Sequence, residues 1–289
     1  MAANKDVDAI SGVETTGHEW DGIKELNNPL PRWWLIIFYL CILFAVVYMV
    51  FMPAIPLFGG FTRGVLDWSS RGALERSMEE LTAEQRPYME QIRKDDLQQI
   101  ADDPKLMPFV MAGGQSAFGV NCSPCHGSGA QGGQGYPNLN DDAWLWGGTL
   151  DEIYQTIRYG VRNDNPDSHN NVMAAYGKDG ILTRGEIDEV AAYVLSLSGR
   201  ADDAEAAEKG KAVFEEQCVA CHQEGGVGDP SLGAPNLSDH IWLYGGTKAD
   251  IVQTLTYGRG GMMPAWTGRL SDETIKILAV YVHSLGGGK

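Results

Sequence analysis

Basic residues are scarce in this chain: 22 Lys and Arg stand against 38 Asp and Glu, a formal net charge of −16. A surface of this sign repels nucleic acid, whereas it attracts basic proteins and raises the rate at which they meet it. The composition therefore argues against nucleic-acid binding. It is compatible with a basic protein partner, although the same acidic excess also serves ordinary solubility.

Cysteine is equally scarce, with five residues in 289. Four of them lie in two C-x-x-C-H pentapeptides, Cys122 to His126 and Cys218 to His222. The fifth, Cys41, lies inside an apolar run, and we assign it no functional role because free cysteines usually behave as small apolar residues. If the two motifs use their own cysteines, no pair remains for a disulfide within the chain.

C-x-x-C-H is the attachment sequence of c-type haem, in which two thiols form thioethers with the porphyrin and the adjacent His binds the iron. A zinc ribbon also uses C-x-x-C pairs, but these usually lie about 15–20 residues apart. Here the motifs lie 96 residues apart, and no other C-x-x-C or H-x-x-x-H pair is near enough to complete a tetrahedral site. We therefore predict two covalent haem c groups, held by Cys122, Cys125, Cys218 and Cys221, with His126 and His222 as iron ligands.

The chain has one long apolar run, the 20 uncharged residues from Trp33 to Met52. A helix of this length spans about 30 Å, the thickness of a bilayer's hydrocarbon layer. A cleaved signal peptide would need a basic leader and a shorter apolar core, yet residues 1–32 carry three basic and six acidic side chains. We predict a retained membrane-spanning helix over 33–53, with residues 1–32 cytoplasmic. The haem motifs should face the periplasm, because c-type haem is attached outside the cytoplasm.

The two haem regions are copies of one pattern. The tripeptide at Pro137 recurs at Pro235, and Trp144 recurs as Trp242, both shifted by 98 residues. Each copy closes with apolar residues at helical spacing, and in the first copy Thr183 and Glu186 predict a capping box. The sequence therefore predicts two tandem domains, 108–200 and 201–289, preceded by a helical linker over 54–107.

This repeat resembles the class I cytochrome c family, which implies a mainly α fold: a single N-terminal transmembrane helix followed by two tandem class I cytochrome c domains. In that family an N-terminal helix with a Gly and an aromatic residue crosses a C-terminal helix that has its own aromatic residue. Within this chain the resemblance assigns those places to Gly114, Phe118 and Tyr193 in the first domain and to Gly210, Phe214 and Tyr281 in the second.

The resemblance also implies a methionine as the second axial ligand of each iron. Met263, followed by Pro264, fits the second haem, and Met173 occupies the equivalent loop for the first, although Ala replaces the usual proline. Met262 and His169 remain alternatives. The family further implies that carbonyls of Pro137 and Pro235 orient the proximal histidines. The candidates for haem propionate contacts are Trp144, Trp242, Arg162 and Arg259.

A His/Met pair fills the coordination sphere of the iron, which favours electron transfer over oxygen chemistry. No catalytic residue is predicted in this chain. A dihaem peroxidase would need an accessible iron position, and the two methionines argue against it.

The segment from His18 to Trp34, HEWDGIKELNNPLPRWW, resembles the N-terminus of the dihaem subunit of cbb3-type cytochrome c oxidases, the C-family haem-copper oxidases of bacteria. The resemblance extends over essentially the whole chain. It implies an inner-membrane subunit that accepts electrons from a donor cytochrome c and passes them to a monohaem cytochrome subunit. That subunit would feed the catalytic haem-copper subunit, which reduces oxygen and pumps protons. The main alternative is a membrane-anchored dihaem carrier that serves a dehydrogenase or a denitrification enzyme.

Overall fold

The computed structural model describes residues 6–201 and 203–286. They divide between Glu84 and Gln85 into two compact units, an N-terminal unit and a unit that contains both haem motifs.

The N-terminal unit begins with an antiparallel hairpin of β1 (Thr15–Trp20) and β2 (Ile23–Leu26). Asp21 and Gly22 form its two-residue turn, and both have positive φ angles, 49° and 82°. Positive φ at both central positions is what a type I′ turn requires, and Asp-Gly is among the sequences that favour it. A second hairpin, β3 (Pro56–Leu57) and β4 (Gly60–Phe61), follows the long helix described next.

Helix α1 (Arg32–Phe51) is the apolar segment. An 18-residue window within its 20 residues has a mean hydropathy of 2.7, so the helix is long and apolar enough to cross a membrane. Pro31 occupies the N-cap position, and the helix ends just before Pro53. Proline disfavours helical backbone at the residue before it, which explains this boundary. The helix therefore starts one residue before the predicted span 33–53 and ends two residues earlier.

The second unit is helical. Helix α2 (Ser70–Lys94) begins in the first unit and ends in the second. The second unit continues with α3 (Leu97–Asp102), α4 (Met107–Asn121), α5 (Ser123–His126), α6 (Leu150–Tyr159), α7 (Arg184–Leu197), α8 (Ala204–Gln217), α9 (Val219–His222), α10 (Lys248–Tyr257) and α11 (Asp272–Ser284), with a 3-10 turn at Glu224–Gly226. Capping boxes begin several of these helices, and the predicted box of Thr183 and Glu186 at the start of α7 is confirmed.

The helices of the two repeats are exchanged. Helix α4 of the first repeat packs on α11, the last helix of the second repeat, and α8 packs on α7. Gly114 lies so near α11 that a Cβ there would be 2.4 Å from the Tyr281 Cβ, and Phe118 packs against the same tyrosine. The expected crossing of Gly114 with Tyr193 inside one repeat is therefore wrong.

The second crossing shows the same exchange. A Cβ on Gly210 of α8 would be 2.0 Å from the carbonyl oxygen of Glu189 in α7. Phe214 packs against Tyr193 of α7, with ring centroids 5.1 Å apart, rather than against Tyr281.

A short connection explains the exchange. Helix α7 ends at Leu197 and α8 begins at Ala204, so six residues join the last helix of one repeat to the first helix of the next. Connections of this length make consecutive helices antiparallel neighbours. Because α8 then covers α7, the helices α4 and α11 remain to cover each other.

Two buried cores result, and neither coincides with the range 108–200 or 201–289. The first core combines α4 and α6 with α11, and the second combines α7, α8 and α10. The first core also contains Ile92, Leu97, Ile100 and Leu106, each at most 7% exposed. The end of the expected linker 54–107 is therefore part of a haem-motif core.

Candidate haem sites

Each C-x-x-C-H motif begins where a helix ends and forms a single further turn. The amide nitrogen of Cys122 bonds to the Phe118 carbonyl at the end of α4, and the amide of His126 bonds back to the Cys122 carbonyl, 2.9 Å away. Cys218 and His222 repeat this arrangement at the end of α8. The same turn therefore presents two thiols and one imidazole in each motif.

The two cysteines of a motif differ in exposure. Cys218 is buried and Cys122 half-buried, whereas Cys125 and Cys221 are exposed. Burial raises the pKa of the Cys122 and Cys218 thiols to about 11. These thiols are neutral at physiological pH, and one of each pair lies at the edge of a core while the other remains accessible.

Both proximal histidines are fixed by a proline carbonyl. The Nδ1 atom of His126 lies 3.0 Å from the Pro137 oxygen, and Nδ1 of His222 lies 3.0 Å from the Pro235 oxygen. A carbonyl only accepts, so each Nδ1 donates its hydrogen and leaves the Nε2 lone pair for a metal. Burial lowers the pKa of both imidazoles, which favours the neutral form that binds iron.

The methionines are exchanged in the same way as the helices. Met173 packs against the second core, and it lines one cavity together with Cys218, Cys221 and His222. Met263 packs against the first core, which Cys122 also contacts. The expected pairing of Met173 with the first haem and Met263 with the second therefore differs from the structure, because each methionine follows its neighbouring helix α7 or α11 into the other repeat's motif.

Matching backbone bridges hold the two methionine loops. Val161, just after α6, exchanges both N–H···O bonds with Met263 at 2.9 Å, and Arg259, just after α10, pairs with Met173 at 3.0 and 3.1 Å. The preceding residues, Gly160 and Gly258, have φ angles of 71° and 70°, and a Cβ at either would lie 2.4 Å from the methionine carbonyl oxygen. Glycine is required at both positions for the loops to cross.

The alternative ligands His169 and Met262 have other surroundings. The His169 ring stacks on Trp146 with centroids 4.2 Å apart, and its Nε2 lies 3.2 Å from the Thr156 hydroxyl. Met262 is 71% exposed, whereas its neighbour Met263 packs against the core. Both observations favour Met173 and Met263.

The cavity beside His222 suits a c-type haem by more than its ligand atoms. Trp242 lines it, and the Nε1 atom of this side chain is buried without a hydrogen-bond partner among the described residues. A buried indole N–H normally has an acceptor, and a haem propionate would supply one. Arg162 and Arg259 line the same cavity and could neutralise propionate charge. The donor set of imidazole, thioether and two thiols, with this orphan N–H, therefore fits haem c.

Sequence reasoning missed the residues that lie across the repeats, Val161 and Asn163 above all. Asn163 Nδ2 donates to the carbonyl of Met263 at 2.8 Å. The signal that could have found the exchange is the short connection between α7 and α8.

Fold and sites together define a c-type cytochrome that carries two haem-attachment motifs behind an N-terminal helix able to cross a membrane. Family models match three parts of the chain: the N-terminal domain of cytochrome oxidase-cbb3, FixP, at residues 12–59; cytochrome c at residues 111–198; and cytochrome c oxidase, cbb3-type, subunit III, at residues 205–282. The last two cover one sequence repeat each.

Relatives that align over nearly the whole chain belong to the same family as these models indicate. The Cbb3-type cytochrome c oxidase subunit CcoP of Azospirillum sp. (strain B510) is 53% identical over 290 residues, covering 98% of each chain. Subunit FixP of Bradyrhizobium diazoefficiens is 51% identical over 293 residues and 100% of each chain, and CcoP of Cereibacter sphaeroides is 45% identical over 276 residues and 95% of each. This chain belongs to the CcoP/FixP family, subunit III of cbb3-type cytochrome c oxidases. The predicted family and the mainly α fold with cytochrome c domains are confirmed.

Proposed function

We propose that this chain accepts electrons from a donor cytochrome c and passes them, through two covalently bound haem c groups, towards the oxygen-reducing subunit of the oxidase. The observation that carries the proposal is the repeated arrangement of the two cores, each with one imidazole fixed by a proline carbonyl and one methionine. Membership of an oxidase-subunit family supports the direction of the transfer.

We assign the axial ligands across the repeats: His126 with Met263, and His222 with Met173. When bound, each haem supplies a one-electron iron couple whose potential the methionine and the buried surroundings raise. The residues of the chain would hold each haem in place. The proline carbonyls orient the imidazoles. The methionines would bind the iron and keep oxygen from it, and Trp242 would donate to a propionate.

We further propose that α1 anchors the chain in the bacterial inner membrane, with the N-terminus cytoplasmic and the haem unit periplasmic. The net charge of −16 suits a basic donor cytochrome c. The onward partners are a monohaem cytochrome subunit and the catalytic haem-copper subunit. No oxygen chemistry takes place in this chain.

Ligand variants of the haem-loaded protein test the site assignment. Met263→Ala should allow carbon monoxide to bind the haem on Cys122 and Cys125, and Met173→Ala should do so for the haem on Cys218 and Cys221. Parallel variants that keep only one attachment motif identify which haem responds. The reverse pattern would restore pairing within each repeat, and no response from either variant would refute methionine ligation.

Native electrophoresis of gently solubilised membranes, stained for haem and for oxidase activity, tests the partners. We expect this chain to comigrate with b-type haem, copper and cyanide-sensitive oxygen uptake. Migration as a separate c-type cytochrome, also after crosslinking, would favour a free dihaem carrier instead.

A further inference from the structure

The methionine loops of the two repeats differ in length. Met173 is the fourteenth residue after Tyr159, but Met263 is only the sixth after the equivalent Tyr257. Arg162 and Asn163 follow the bridge residue Val161 in the longer loop, and the eight additional residues come after them. The second repeat has Gly260 and Gly261 at the corresponding positions, 98 residues on. It therefore has no counterpart of the Arg162 and Asn163 side chains at these positions.

Arg162 belongs to the loop that leads to Met173, and its side chain bonds to the backbone just before each methionine. Its Nε donates to the carbonyl of Gly261, 2.6 Å away, and its Nη1 donates to the carbonyl of Asn171. Gly261 lies two residues before Met263, and Asn171 lies two residues before Met173. One guanidinium therefore joins the backbone next to both proposed sixth ligands at equivalent places.

The surroundings hold Arg162 in this position. Its backbone has a φ of 49°, an uncommon value for a residue other than glycine, and its amide bonds to the His169 carbonyl at 2.6 Å. The guanidinium carbon lies 5.9 Å from the Trp146 ring centre, on which His169 stacks. The side chain is half-buried and also lines the cavity of the second haem motif. A strained, stacked and half-buried arginine is fixed rather than free to move with either loop alone.

We propose that Arg162 is a positioning residue that couples the two haem sites, because its rigid fork fixes the distance between the Met173 and Met263 loops. The proposal rests on the ligand assignment made above. Hydrogen bonds from a charged donor are stronger than neutral ones, and an arginine presents its N–H groups in a fixed plane. Displacement of one loop is therefore transmitted to the other, and the potentials of the two haems respond together.

The test is ligation in the haem-loaded full-length chain carrying Arg162→Met. The absorption band that reports the Fe(III)–methionine sulfur bond should weaken at both haems. The carbon-monoxide-reactive fraction of both ferrous haems should rise about tenfold, the factor that corresponds to about 1.4 kcal/mol. Both midpoint potentials should fall. Spectra of Met173→Ala and Met263→Ala assign each signal to its haem.

Asn163→Ala is the matched control, because the side-chain amide of Asn163 donates to the carbonyls of Tyr159 and Met263, whereas the bond to Asn171, beside Met173, comes from Arg162. Its effect should be confined to the haem attached at Cys122. Arg162→Lys separates charge from geometry: it keeps the positive charge but lacks the fork, so it should not restore the wild-type band at both haems.

Full restoration by Arg162→Lys, or a change confined to the haem at Cys218, would overturn the coupling and leave only a local charge effect. If Arg162→Met does not accumulate with two attached haems, the Arg162→Lys spectrum decides alone. Unchanged bands in both methionine variants would instead refute the ligand assignment itself, so the two failures are distinguishable.

Discussion

The exchanged helix crossing predicts the effect of one added methyl group. In Gly114→Ala, the new Cβ would lie 2.4 Å from the Cβ and 2.7 Å from the Cγ of Tyr281. Ordinary contact begins near 3.4 Å, so α4 and α11 would have to separate by about 1 Å. A rotamer change of Tyr281 does not move its Cβ, and the backbone must therefore shift.

The magnitude follows from two opposing effects. Overpacking of this kind costs up to about 3 kcal/mol, and replacing Gly by Ala inside a helix returns up to about 1 kcal/mol. We expect a net loss of about 2 kcal/mol in the free energy of unfolding, or roughly 4–8 °C in Tm for a unit of this size. Gly119→Ala in the same helix is the control, because among the described residues no atom beyond its chain neighbours and the adjacent backbone of α4 lies within 4 Å of its built Cβ. It should be neutral or slightly stabilising.

The assay is denaturant unfolding of the solubilised, haem-loaded chain, followed by helical circular dichroism and by haem absorbance. A double-mutant cycle then identifies the partner helix. On a Tyr281→Gly background, which removes the opposing side chain, Gly114→Ala should cost much less than in the wild type. On a Tyr193→Gly background it should keep its full cost. Equal stability of Gly114→Ala and Gly119→Ala, or coupling to Tyr193 instead of Tyr281, would refute the exchanged packing.

Two polar contacts between α2 and α11 give further predictions. Lys276 Nζ donates to the carbonyls of Ile92 at 3.0 Å and Asp95 at 2.7 Å. Lys276→Met should therefore lower the free energy of chemical unfolding by about 2 kcal/mol, and Lys276→Arg should lower it less. A loss below about 0.5 kcal/mol for the Met variant would show that these two bonds contribute little to stability. The bond from Arg93 holds the pKa of Glu273 below its ordinary value of 4.5. A lowered folded-state pKa stabilises the fold above the unfolded value, and this stabilisation is lost as the pH falls through the folded value. Wild type should therefore lose more stability than Glu273→Gln between about pH 5 and about pH 3, and parallel stability curves would show that the bond contributes little.

The sequence was sufficient for features that depend on local chemistry. The uncharged run of α1 predicts a membrane-length helix because hydropathy and length are enough. Thr183 and Glu186 predict the start of α7 because a capping box is complete within four residues.

The exchange could not be predicted from the repeat itself. Gly114 and Phe118 are equally complementary to Tyr193 and Tyr281, because the two closing helices are copies of one pattern. Only the length of a connection distinguishes the two pairings, and a resemblance to single-domain cytochromes carries no information about it. The contribution of the segment before α4 to the first core could not be predicted for a different reason. Its helix α2 is strongly charged, and Ile92 is the one residue of α2 that is buried.

Because of the exchange, the segment that forms the second core lies, in sequence, between two segments that form the first core. The second core, with Met173, α7, α8 and α10, is formed by the continuous segment 173–257. The first core is formed by chain on both sides of that segment, and its proposed ligands His126 and Met263 lie 137 residues apart in sequence. Contacts between residues this far apart in sequence have a higher entropic cost of loop closure, and they form more slowly than local contacts. The second core can therefore assemble as soon as its segment exists, whereas the first can close only after α11 is present. The ligands proposed for the first haem, His126 and Met263, therefore lie on both sides of the inserted segment, whereas those proposed for the second, Met173 and His222, both lie within it.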